Sequence, residues 1–163
     1  MKKEVWILAF CIALFPPIWA VLAPHFGVTT GAVALICAGL YVTNGNKSED
    51  ALKISLGFLM GDIWAVLALA IMDYLPFNPE LELFITLFIL GGLGVLISAV
   101  LEKWIFTPAL LCGWAVGLTI LAPVGYGNLG TLPIQIGAAM LAGIWYVGLL
   151  VYKIQKIMGK LLN

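Results

Sequence analysis

The stretch ALKISLGFLMGDIWAVLALAIM, residues 51–72, decides the class of the fold. A helix that crosses a bilayer needs about 20 mostly apolar residues. This run supplies them, and inside it only Lys53 and Asp62 carry charge. Lys53 stands near its start, whereas Asp62 stands near its middle, at the depth of the bilayer centre.

The rest of the chain has the same character. Of 163 residues, 63% are hydrophobic and 10% charged, with a mean hydropathy of +1.12. Soluble domains average roughly 45–50% apolar and about 25% charged. A chain this short cannot hide so much apolar surface in a water-soluble core. Soluble enzymes and disordered chains are therefore excluded. Eight lysines, no arginine and eight acids give a net charge of zero, so the basic footprint of a nucleic-acid binder is missing. The solvent for the fold is a lipid bilayer.

Five further apolar runs flank the first, at about Val5–Ala23, Val28–Thr43, Leu83–Leu101, Ile105–Val124 and Pro133–Val151. The run Val5–Ala23 is interrupted by Pro16 and Pro17. The run Val28–Thr43 is the shortest, near the lower limit for a span, and a re-entrant or partly buried segment is an alternative there. Asn44-Gly45-Asn46, Pro76-Phe77-Asn78-Pro79 and Gly125-Tyr126-Gly127-Asn128 are turn signals between runs. No connection is long enough for a soluble domain. The expected fold is an all-α membrane domain over residues 1–163 with six transmembrane helices. Met1-Lys2-Lys3 before an apolar run also resembles a signal peptide; the Pro16-Pro17 interruption and the five runs that follow favour an uncleaved first helix.

The lysines orient this arrangement. With six crossings and a cytoplasmic N-terminus, Lys2, Lys3, Lys47, Lys53, Lys103, Lys153, Lys156 and Lys160 all fall inside. The outer loops carry only His25, Asp73, Glu80 and Glu82. That division follows the positive-inside rule and places both termini in the cytoplasm.

The six runs divide into two sets of three, about residues 1–76 and 82–163. Gly57, Met60 and Trp64 in the third run match Gly137, Met140 and Trp145 in the sixth at offsets of 80, 80 and 81, and Thr30 and Thr107 stand 77 apart. Three crossings per set force the second set to enter from the opposite side. The expectation is a 3+3 inverted repeat, a plan in which the solute path runs near the repeat interface.

Ile18-Trp19-Ala20-Val21, Gly27-Val28-Thr29-Thr30-Gly31-Ala32, Ala51-Leu52-Lys53-Ile54-Ser55, Gly61-Asp62-Ile63-Trp64-Ala65 and Phe106-Thr107-Pro108-Ala109 with Cys112-Gly113 together resemble a family of small bacterial inner-membrane proteins, domain of unknown function 1097. The resemblance spans nearly the whole chain and rests on small-residue patterns and spacing. It implies a multi-pass location in the bacterial inner membrane, and it implies no activity and no site residue.

Asp62 is the sharpest chemical feature. An acid at the centre of a membrane helix costs at least ~2.5–3.5 kcal/mol on insertion scales, and no lysine falls at its depth. It either carries its proton, faces a wet cavity, or binds a cation or a donor-rich solute. The structural alternative is a hydrogen bond to Ser55, Thr86, Thr119 or Gln135. Gln135 can orient a polar solute through its amide or bridge helices. Thr30 and Thr107 open the second and fifth runs as helix caps, or present helix N-termini to a solute path. Trp64, Trp114 and Trp145 lie deep, as packing residues or as the wall of a constriction. Trp64 is two residues from Asp62, so the two side chains leave the helix on different faces. Gly113-x-x-x-Gly117 permits close helix approach. Cys11, Cys37 and Cys112 have neither metal nor redox spacing, and no nucleophile triad, metal cluster or phosphate loop is present.

The expected function is passage of a small polar solute, such as a urea-like amide, a small amine or a weak acid, by a channel or facilitator that assembles as a homo-oligomer. No cofactor, nucleic-acid partner or enzyme activity is expected. The alternatives are a non-transporting membrane scaffold or accessory subunit, and a proton-coupled transporter using Asp62.

Overall fold

A computed structural model describes residues 3–161. Lys2, used above for orientation, and Asn163 at the C-terminus lie outside the described residues. The described chain is helical, with no strand among those residues: α1 (Lys3–Leu22), α2 (Val33–Thr43), α3 (Ala51–Tyr74), α4 (Pro79–Val100), α5 (Thr107–Leu121), α6 (Leu132–Ala142), a π-helical segment (Gly143–Leu150) and α7 (Val151–Leu161). The last three continue into one another as a single rod of 29 residues over Leu132–Lys160.

Four helices are long and apolar enough to cross a membrane: Val5–Phe26, Ser48–Tyr74, Pro79–Val100 and Leu132–Lys160. Large apolar side chains such as Phe84, Phe88, Leu96 and Ile63 stand exposed on them, as a lipid-facing surface requires. The other two apolar helices are shorter than the sequence led one to expect. Regular α-helix covers 11 residues in α2 and 15 in α5, about 17 and 22 Å at 1.5 Å per residue. Ahead of α2, the bonds Val33 N to Thr30 O (3.0 Å), Ala34 N to Gly31 O (3.1 Å) and Leu35 N to Ala32 O (3.1 Å) wind the chain into a tighter turn. The run from Val28 is thus helical in part.

Two other departures have local causes. α1 continues through Pro16 and Pro17, where the sequence suggested a break. Proline removes a donor and strains the preceding turn, but membrane helices tolerate it. The sixth helix does not stop near Val151. It runs on through VYKIQKIMGKL, because that tail is amphipathic at helical period.

The turns are built by the residues that signalled them. Gly45 (φ 83°) and Asn46 (φ 56°) take left-handed backbone after α2, and Asn44 Nδ2 donates to Asp50 Oδ2 at 2.9 Å. Asn78 caps α4, its Oδ1 accepting from Leu81 N at 2.9 Å, with Pro79 in the first turn.

The chain packs into two compact units, neither of which is a half of the chain. One comprises the residues up to Ala51 together with those from Ala138 onward. In it α1 packs on α7 through Ile7, Cys11 and Val151, flanked by Phe15, Ile154 and Met158. α2 packs on the π-helical segment through Ala34, Ala38 and Val147. Gly143 lies against the Ala34 backbone and Cys37, and Gly148 lies flat on the ring of the fully buried Tyr41. A π-helix bonds residues five apart, so glycines spaced by five present one common edge to α2.

The second unit, Leu52–Gly137, is organised around α3. Its seam with α5 is backbone against backbone. A Cβ at Gly57 would lie 2.7 Å from Phe106 O, one at Gly61 2.5 Å from Trp114 N, one at Gly113 2.5 Å from Phe58 O and one at Gly117 2.5 Å from Ala65 Cβ. Glycines four apart on both helices are what lets two helices meet so closely. α4 is tied to α3 by Trp64, whose Nε1 donates to Leu90 O at 2.9 Å, with Gly94 leaving room for the indole.

The seam predicts opposite effects at two glycines. Gly61→Ala should destabilise by about 1–3 kcal/mol, the usual result of overpacking, because backbone atoms fill the space. Gly92→Ala, where nothing lies within 4 Å, should stabilise by about 0.5–1 kcal/mol through its helix propensity. Thermal unfolding of the purified variants in detergent measures both.

Candidate functional site

Asp62 is 6% exposed. It leaves α3 on the face that carries Ser55 two turns earlier, also buried. The glycine seam fixes what surrounds it. On one side is Gly117 of α5, where a Cβ would lie 3.3 Å from Asp62 Oδ1. On the other is Gly137 of α6, where a Cβ would lie 3.8 Å from Oδ2. The carboxyl group therefore sits between two glycines. Oδ1 is buried and has no hydrogen-bond partner.

Of the partners weighed from the sequence, Thr119 and Gln135 each donate to a group four residues earlier in the chain, and Thr86 makes no bond. Thr119 Oγ1 donates to Ala115 O at 2.8 Å, within its own helix. Gln135 Nε2 donates to Thr131 Oγ1 at 3.0 Å, along α6. Thr86 Oγ1 is buried without a partner of its own. Two polar atoms in this unit besides Asp62 Oδ1 are thus buried and unpaired, Thr86 Oγ1 and Trp114 Nε1. Trp114 stands one turn before Gly117, and the far edge of its indole reaches Gly91 of α4 at 3.7 Å from a Cβ placed there.

Trp64 does not join Asp62. Its indole turns to α4 and is spent on Leu90 O, as the two-residue spacing implied. Thr107 is not the cap of α5: Phe106 holds that position without a side-chain bond. The Thr107 hydroxyl instead donates to Ser98 Oγ at 2.9 Å, and Ser98 donates to Val95 O at 2.9 Å, tying the start of α5 to the end of α4. Thr30 belongs to the other unit, where its Oγ1 is buried without a partner and caps nothing. Trp145 is in that unit too, on the π-helical segment, and is 44% exposed. Among the seven side chains singled out from the sequence, Asp62, Trp64, Trp114, Thr107 and Gln135 share a unit.

The glycines on either side of Asp62 were not foreseen as its neighbours. Gly117 was legible only as half of a close-packing motif, and Gly137 only as a repeat match. A lone carboxyl in such a place can hold a proton, pair with a cation, or accept a hydrogen bond from a polar solute. Among the described residues no three His, Cys, Asp or Glu side chains are grouped to hold a metal ion.

The two buried tryptophans predict a contrast. Trp64→Phe removes a made hydrogen bond and should lower stability by about 0.5–1.5 kcal/mol. Trp114→Phe removes an unpaired buried donor and should leave stability unchanged or raised. Parallel thermal unfolding of the two variants checks the difference.

No curated protein and no solved structure matches this chain. The family described as protein of unknown function (DUF1097) matches residues 9–155, from within α1 to within α7. The match covers most of the chain, and the protein belongs to that family.

Proposed function

We infer that the protein passes a small polar solute across the bacterial inner membrane as a channel or facilitator, with Asp62 on the solute's path. The observation that carries this reading is the buried Asp62 carboxyl, unpaired at Oδ1 and set between Gly117 and Gly137. A buried polar group without a partner costs about 1–3 kcal/mol, and an acid inside a membrane costs more. An acid kept only to join helices would be bonded at both oxygens, yet Oδ1 has no partner, and Thr119 spends its hydroxyl on Ala115 O. A passing solute with donors of its own, a urea-like amide, a small amine or a weak acid, would supply the missing bond. The absence of arginine argues against a dedicated anion clamp. A scaffold or accessory subunit has no use for an acid in this state. Proton coupling through Asp62 is the variant of the same reading in which its proton moves with the solute.

The 3+3 inverted repeat belongs to this proposal. What supports it is the content of the two units. One gathers α1 and α2 with the C-terminal part of the last rod, and the other gathers α4 and α5 with α3. In one, Gly143 meets Ala34 and Cys37; in the other, Gly61 meets Leu110 and Trp114. The offset that sets Thr30 on Thr107 also sets Cys37 on Trp114. Each three-helix set would then give its third helix to the partner pair.

The lysines favour six crossings although α2 and α5 are short. If neither crossed, Lys47, Lys53 and Lys103 would lie on the outer side, against the positive-inside rule. Single cysteines in place of Lys47, Asn78 and Asn128, in a chain freed of its native cysteines, test this in right-side-out vesicles. A membrane-impermeant maleimide should label the Asn78 and Asn128 positions and spare Lys47. Labelling at Lys47 would refute six crossings.

Solute uptake by reconstituted protein tests the role of Asp62. The amide of Asp62→Asn is nearly isosteric with a protonated acid, so the fold should survive. Uptake, or its dependence on pH across the mildly acidic to neutral range, should change because the titratable group is gone. Uptake identical to wild type at every pH, with stability unchanged, would remove Asp62 from the path and favour the scaffold.

A further inference from the structure

We propose that the outer face of the π-helical segment and α7 is a binding site for an anionic phospholipid, its acyl chain against the π-helix and its phosphate on the lysines that follow. Lys153, Lys156 and Lys160 are exposed and, at spacings of three and four, form one stripe along α7. The opposite stripe, Val151, Ile154 and Met158, packs against Ile7 and Cys11 of α1, so the lysines have no freedom to turn inward. α7 contains no acid, and its cationic face is not neutralised along its own helix.

The stripe continues directly into an apolar groove. A hollow of about 220 Å³ is lined by Lys153, Lys156, Ile157 and Lys160. A groove of about 440 Å³ is lined by Trp145, Tyr146, Leu149, Leu150 and Lys153. Lys153 borders both, so an apolar channel along the helix ends at a cluster of three ammonium groups. The π geometry makes the groove. Bonding five apart places Trp145 and Leu150 on one side of the segment, both more than 40% exposed, whereas regular α-helix would rotate them apart. π-helical segments recur at functional sites.

The occupant follows from charge complementarity. An anion alone would be held by the lysines but would leave the groove empty, and an uncharged lipid would fill the groove but leave three cations unpaired. A phospholipid with a net negative headgroup satisfies both. Basic clusters next to a membrane helix attract such lipids.

Trp145 reports on the groove. The full-length protein is reconstituted in phosphatidylcholine vesicles carrying increasing amounts of lipid brominated along its acyl chains, either phosphatidylglycerol or phosphatidylcholine. Bromine quenches tryptophan on contact, and the difference between wild type and Trp145→Phe isolates the Trp145 signal. Half-quenching is expected at a fraction of brominated phosphatidylglycerol at least about fivefold lower than of brominated phosphatidylcholine, the preference one lysine near an anionic headgroup supplies. Replacing Lys153, Lys156 and Lys160 together by Gln should abolish the preference while quenching by phosphatidylcholine persists. Excess inorganic phosphate should leave the curves unchanged. Equal quenching by the two lipids in wild type would overturn the proposal, as would a preference that survives the triple replacement. Loss of the preference in inorganic phosphate would reassign the lysines to a free anion and overturn the lipid occupant.

Discussion

The close approach of α3 and α5 is the constraint on which the rest depends. Two helices inside a membrane gain little from the hydrophobic effect, since the lipid is as apolar as they are. They associate by packing, and packing is best where side chains do not hold the backbones apart. Gly57 and Gly61 on α3 and Gly113 and Gly117 on α5 remove those side chains in register. The seam they form fixes the rotation of α3 about its axis. Once that rotation is set, Trp64 must meet α4 and Asp62 must meet Gly117.

The same seam places a carboxyl group where little can answer it. Glycine offers no side-chain donor, and the main-chain N–H groups of a helix interior are already bonded along the helix. The geometry that permits close packing thus strands Asp62 Oδ1. A protein under selection for stability alone would put an apolar residue at that position. The retention of an acid, with an unpaired indole on the adjoining helix turn, is the physical reason to look for a solute or a proton there.

The class of the fold was legible in the sequence because membrane helices announce themselves by length and apolarity, and residues 51–72 and 83–101 do so without ambiguity. Turn chemistry was legible for the same local reason: Asn44-Gly45-Asn46 and Asn78-Pro79 act through their own backbones. The extent of regular helix in α2 was not, since Val28–Val33 carries neither charge nor proline to mark a boundary and only hydrogen bonding tells a tight turn from α-helix. The π-helical segment had no signature in GIWYVGLL; it follows from fitting Gly143 and Gly148 to α2. Asp62 stood out by its charge, but its neighbours did not, because glycines mark close approach without saying what they approach. The donations that Thr119 and Gln135 make along the chain have a related reason. A hydroxyl or amide on a helix finds its own turn first.

Asp62 Oδ1 is unpaired in the folded protein, and the proposed role requires it to be open to the solute. Dicyclohexylcarbodiimide, an apolar reagent that modifies protonated carboxyl groups in apolar surroundings, tests it when the modified residue is read by mass spectrometry. Modification at Asp62 is expected in folded, membrane-embedded protein, slowed by an excess of a small amide or amine. An Asp62 that stays unmodified until the protein is unfolded, or one that reacts at the same rate with and without such solutes, would contradict it.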